Sequence, residues 1–85
     1  MSNKRLYILE TLRLMREALK DNEMTNTLNR MADSVAHTAP EIMDRRWTTI
    51  YNFCSQHVNN MENPAHKECY DLYHDRLIQY TTLYN

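Results

Sequence analysis

Eighty-five residues with a formal net charge of −1, 42% hydrophobic and 25% charged side chains, no glycine and two prolines set the first bounds. A chain of this size supports one domain, residues 1–85, with a core small enough that self-association is a natural supplement. The near-neutral balance gives no global case for nucleic-acid or anionic-membrane binding. The missing glycines argue against tight hairpins and phosphate-cradling loops, whose φ > 0 positions would fall to Asn or Asp.

A first helix is predicted over residues 3–20, capped by Ser2 or Asn3, with Ile8, Leu12, Met15 and Leu19 on one stripe widened by Leu6 and Leu9. Its other side is basic, with Lys4, Arg5, Arg13, Arg16 and Lys20 outnumbering Glu10 and Glu17. Glu10 and Arg13 interrupt the apolar run that a secretory leader needs, and no later run approaches a membrane span. The expected setting is therefore cytoplasmic, which two cysteines also suit.

Asp21-Asn22-Glu23 is expected to break the chain before a short second helix over residues 26–38, capped by Thr25 or Asn26, with Leu28, Met31, Ala32 and Val35 inward. Thr38-Ala39-Pro40-Glu41 has the form of a capping box with proline in the first turn, and opens a third helix over 40–60. Its stripe is Met43, Trp47, Ile50, Cys54, Val58 and Met61, flanked by Ile42, Tyr51 and Phe53. This helix is expected to be the one on which the others pack. After the turn formers at 59–63, Asn63-Pro64 starts a fourth helix over 64–83 carrying Cys69, Leu72, Tyr73, Arg76, Leu77, Tyr80 and Tyr84. Arg76 is expected to lay its stem on that stripe and keep its head in water. Short connections make antiparallel neighbours, so the fold expected is an all-α, up-and-down bundle of four helices.

Two patterns point to specific chemistry. Cys54-x-x-His57 before the last turn mirrors His66-x-x-Cys69 after it. In an antiparallel hairpin the four side chains could converge on Zn²⁺, because residues three apart share a face at a rise of roughly 4.5 Å. The alternatives are a disulfide between Cys54 and Cys69, or two core cysteines with two histidines at the solvent edge, and no cofactor is expected on balance. The second pattern is a helix-turn-helix over about 28–50, with Arg45, Arg46 and Thr48 on the reading helix and Arg13, Arg16 and Lys20 adding phosphate contacts. Against it stand His37 and Arg45 at usually apolar positions, and Glu41 and Asp44 facing the phosphates.

Six methionines and six tyrosines form the remaining signal. Aromatic side chains are enriched at protein interfaces. The expected partner-binding strip is Tyr70, Tyr73, Tyr80 and Tyr84 on the fourth helix, joined by Tyr51 and Phe53. Asp71, His74 and Asp75, like Asp33, Ser34 and His37, cluster in sequence without a nucleophile, base and orienting group, so no enzyme is expected. The sequence thus favours a small non-catalytic module that binds a larger protein as adaptor, regulator or inhibitor, as a homodimer. Its size and lack of motifs also suit a phage or mobile-element effector. A DNA-binding regulator is the alternative.

Overall fold

The computed structural model describes residues 3–20 and 22–84, which form α1 (Lys4–Leu19), α2 (Asn22–Ala36), a 3-10 segment (Pro40–Arg45), α3 (Arg46–His57) and α4 (Pro64–Tyr84). The fold is the expected all-α bundle. Contacts along each pair fix the directions. Arg5 of α1 bonds to Val35 and Thr38 while Arg16 bonds to Asn29, so α1 and α2 are antiparallel. Lys4 lies over Tyr80 and Thr11 meets Arg76, so α4 runs antiparallel to α1. Trp47 touches Tyr80 and Tyr73 along α3 and α4.

The hub is α1, which packs extensively on both α4 and α2 and also on the 3-10 segment. The third helix was the expected centre. Bulky Trp47, Tyr73 and Tyr80 meet between α3 and α4 and keep their backbones apart, whereas the α1 stripe of Ile8, Leu12, Met15 and Ala18 lets neighbours approach. The buried side chains form one cluster drawn from all four helices.

Boundaries differ from expectation for local reasons. At its end α1 closes on Lys20, whose φ of 58° is left-handed and whose N–H donates to the Arg16 carbonyl. With no glycine in the chain a lysine takes this position, at a cost of roughly 1–2 kcal/mol. Asn3 is the N-cap of α1 but makes no side-chain cap bond, and Ser2 lies outside the described residues. The second helix starts at Asn22 rather than 26 because the extra turn brings Met24 onto the core, completing a stripe with Leu28, Met31 and Val35. It stops at Ala36 rather than 38.

The capping box does not form. Thr38 turns back instead, and its hydroxyl donates to the Ser34 carbonyl at 2.7 Å. Ala39, extended before Pro40 at ψ 140°, separates Thr38 from the next turn. The expected single helix over 40–60 is split, with Ile42 at φ −117°, ψ 16° marking the kink in the 3-10 segment. Asp44 is tethered there by Lys4 at 3.1 Å and by the Tyr80 hydroxyl, while Met43 is buried. Those anchors hold the tighter turn. From Trp47 the predicted stripe is buried as far as Val58, and Met61 falls outside it in the turn. The last helix begins as read: Asn63 Oδ1 accepts the Ala65 N–H at 3.0 Å and Pro64 occupies the first turn.

Arg76 departs from its expected wet position. Its guanidinium donates to Thr11 Oγ1 at 2.9 Å and to the Tyr7 carbonyl at 3.0 Å, and lies 3.7 Å from the Tyr7 ring centroid. Tyr7 answers by donating its hydroxyl to the Arg76 carbonyl at 2.9 Å. Arg76 is thus a strut between α1 and α4. Arg76→Met keeps the stem and removes the donors, and should cost about 2–3 kcal/mol in urea unfolding. A loss below about 0.5 kcal/mol would show that the guanidinium contributes nothing beyond its stem.

Candidate functional site

Helices α2 and α3 make little direct contact, and a cleft of about 210 Å³ opens between them. Its floor is apolar, made by Met31 and Val35 of α2 and Ile50 of α3. Small hydroxyl side chains at the facing positions, Thr27, Ser34 and Thr49, leave the space unfilled. Arg30 from α2 and Arg46 from α3 complete the wall, and no lining residue is acidic. The contact of Arg30 with Thr27 Oγ1 is long, at 3.4 Å. Arg46 is half-buried, and its Nε is shielded from solvent with no hydrogen-bond partner among the described residues. Neither guanidinium has an ion pair among the described residues. An open apolar slot under two uncompensated cations can accept an apolar group carrying negative charge beside it.

The sequence contained this slot as a second periodicity beside the core stripe. Thr27, Arg30, Met31 and Ser34 recur at helical spacing on α2, as do Arg46, Thr49 and Ile50 on α3. Met31 and Ile50 belong to both stripes, so the sequence presents them as core alone.

The expected aromatic strip is distributed differently. Phe53, Tyr73 and Tyr80 are buried, so they cannot form an exposed strip. They build the core seam with Trp47, whose ring centroid lies 5.0 Å from that of Tyr80. Tyr70 and Tyr84 are half-buried against that seam, and Tyr51 alone of the six is exposed. The apolar surface of α4 is instead its outer face near the end, where Ile78 (52% exposed) and Leu83 (63%) flank a shallow groove with Gln79 and Thr82.

The four zinc candidates do not converge. Cys54 and Cys69 are fully buried, free, and close enough that ionising one opposes ionising the other. Burial pushes each thiol up to about 12, the reverse of what a thiolate ligand requires. His57 is exposed, with its ring against Phe53, and His66 keeps a shielded Nδ1 without a hydrogen-bond partner among the described residues. Three residues along a helix leave the faces about 60° apart, enough to put a thiol inside and an imidazole outside. Among the described residues no group of three or more His, Cys, Asp or Glu side chains is placed to hold a metal ion.

The basic candidates are dispersed too. Arg13 is ion-paired within α1 to Glu10 and, at 2.7 Å, to Glu17. Arg16 donates to Asn29 at 2.6 Å, and Lys20 is the exposed helix terminator. Arg45 is exposed on the 3-10 segment, whereas Arg46 joins Arg30 in the cleft. The basic face of α1 therefore owes much of its charge to groups already engaged by the fold, Lys4 with Asp44 and Arg5 with the end of α2 included. The polar clusters Asp33, Ser34, His37 and Asp71, His74, Asp75 are exposed, and in them His37 Nδ1 meets the Asp33 carbonyl at 2.8 Å and Asp71 pairs with Lys67 at 2.7 Å. Among the described residues no helix is long and apolar enough to cross a membrane.

No protein-family model, curated protein or solved structure matches the chain.

Proposed function

We propose that the chain is a small non-catalytic, cytoplasmic protein-binding module, an adaptor, regulator or inhibitor of a larger protein, that works through an exposed helical surface and as a homodimer. The observation that carries this reading is the α2–α3 cleft: an apolar slot formed by two helices and open to the outside, the form in which helical proteins receive a side chain of a partner. The exposed Ile78 and Leu83 on α4 supply a separate apolar face suited to self-pairing. The exposure of both polar clusters, with no buried nucleophile or base between them, favours a binding role over catalysis.

The alternative, a DNA-binding regulator with a helix-turn-helix at about 28–50, has less support. Its would-be phosphate contacts Arg13 and Arg16 are engaged within the fold, and Asp44 and Glu41 sit on the approach to the reading helix.

The module reading is tested by affinity capture with quantitative mass spectrometry, comparing the wild type with Thr49→Trp, which fills the cleft at an exposed position. A variant of unchanged helicity should lose its partners about tenfold or more. Identical capture by both proteins would remove the cleft from the function. Retention of a duplex oligonucleotide at low salt, lost on neutralising Arg45 and Arg46, would move the assignment to DNA.

A further inference from the structure

The partner chemistry follows from the cleft itself, and rests on the protein-binding reading. We infer that the α2–α3 cleft receives an acidic amphipathic helix, which seats one large apolar side chain on Val35 and Ile50 and places Asp or Glu side chains one turn away against Arg30 and Arg46. Three observations lead to this occupant. The cleft, at about 210 Å³ and open along one side, is smaller than the roughly 300–1,000 Å³ that encloses a free small molecule, but suits a single inserted side chain. Its floor is fully apolar, with Val35 and Ile50 almost entirely buried beneath it. Its two charged groups are both cationic, neither has a carboxylate among the described residues, and the Nε of Arg46 is already out of water without a hydrogen bond.

Burial of its Nε without a partner among the described residues leaves the Arg46 guanidinium short of hydrogen bonds. A carboxylate that meets its remaining N–H groups in the cleft therefore forms a charge-assisted bond to a group part of whose desolvation has been incurred in the free protein. The two arginines sit on opposite walls, so a carboxylate on each side of the inserted residue fixes orientation as well as affinity. Residues three or four apart on the incoming helix are neighbours on one face, which matches an acid, apolar, acid pattern at that spacing. A basic helix of the same shape would bring like charges together over the slot.

The test uses the full chain as bait for a displayed library of helical peptides about 15 residues long. Each peptide has Leu, Met or Phe fixed at the centre and the positions three and four residues to either side randomised. Peptides selected on the wild type should carry Asp or Glu at those positions and bind Thr49→Trp about tenfold more weakly or worse. Selection on Arg30→Glu, an exposed substitution, and on Arg30→Glu with Arg46→Gln should shift the preference to Lys and Arg. The single variant suffices where the double variant does not fold.

Selected peptides without acidic preference, or ones that bind Thr49→Trp as well as wild type, would overturn the inference. If such peptides are lost with Ile78→Asp and Leu83→Asp, the protein-binding function stands on the other face and only the cleft assignment falls. Failure to select any peptide would overturn the inference and, joined to empty affinity captures, the protein-binding reading with it. The Arg46 Nε–H resonance gives a parallel check, since a cognate peptide should move it. A shift produced by octanoate or a DNA duplex but by no peptide would assign the cleft to a free carboxylate or to phosphate and overturn the helix.

Discussion

Trp47→Ala should lower the unfolding free energy by about 3–5 kcal/mol, a large share of the 5–15 kcal/mol typical of a domain. Trp47 joins α3 to α1 and α4 at once. It is 6% exposed, and its ring meets Tyr7, Tyr73 and Tyr80 at centroid separations of 6.4, 6.2 and 5.0 Å. Edge-on pairs such as those with Tyr7 and Tyr80 add to the area term, and truncation would leave a cavity that three large rings cannot collapse to fill. Trp47→Phe should cost far less. The indole N–H is shielded and makes no well-aligned hydrogen bond among the described residues, although the Tyr80 hydroxyl lies near enough to sense it, so phenylalanine removes an ill-satisfied donor as well as some area. Urea unfolding followed by circular dichroism measures both variants, since the protein's only Trp is lost as a fluorescent reporter. A loss below about 1 kcal/mol for the alanine variant would contradict this placement of the indole.

Alkaline lability is the second large effect. Burial raises Cys54 and Cys69 from the usual 9.0 to about 12, and the charge of Cys54 adds to the rise at Cys69. Tyr73 is raised from 10.0 to about 12, mainly by burial, and Tyr80 is raised further by burial and by its hydrogen bond to the Asp44 carboxylate. The native state thus holds these protons more tightly than the unfolded chain does. The stability they add is complete below about pH 9 and is lost as pH rises toward 12. The two thiols alone contribute on the order of a few kcal/mol over that interval. The urea midpoint should fall steadily above pH 9, and the double variant Cys54→Ala, Cys69→Ala should show a shallower fall. A midpoint unchanged between pH 8 and 11, where the unfolded thiols ionise, would disprove the buried, protonated placement. Acid works in the opposite sense at Asp44. The Tyr80 hydroxyl and then Lys4 hold its carboxyl below the usual 3.8, so its contribution is lost only as pH falls below that range.

The helices themselves were legible in the sequence because they rest on periodicity, which needs only local spacing. Ile8, Leu12 and Met15, or Trp47, Ile50 and Cys54, declare a buried face without reference to any neighbour. What was not legible depends on partners far along the chain. Thr38 and Glu41 have the residue types of a capping box, yet the extended Ala39 sends the threonine hydroxyl back to Ser34. Arg76 has a surface residue's composition, and only the proximity of Thr11 and the Tyr7 carbonyl makes it a strut. Tyrosine is ambiguous for the same reason, since its apolar ring and polar tip serve a core or an interface equally well. Tyr73 and Tyr80 went inward because Trp47 and Tyr7 were there to meet them. The α2–α3 cleft was hidden among residues that double as core, and became visible only where small hydroxyl side chains left two helices unmated.

The pairing of α1 with α4 has a consequence for synthesis. Tyr7 bonds to Arg76 and its ring meets those of Tyr80 and Tyr84, so the first helix cannot be fully enclosed until the residues around 76–84 have left the ribosome. The α1–α2 hairpin, held by contacts such as Arg16 with Asn29, forms from near neighbours and can assemble early. For the time between, the apolar stripe of α1 that later meets α4 stays open to solvent. That interval makes the nascent chain the form in which this protein is most exposed to chaperones and to misassociation.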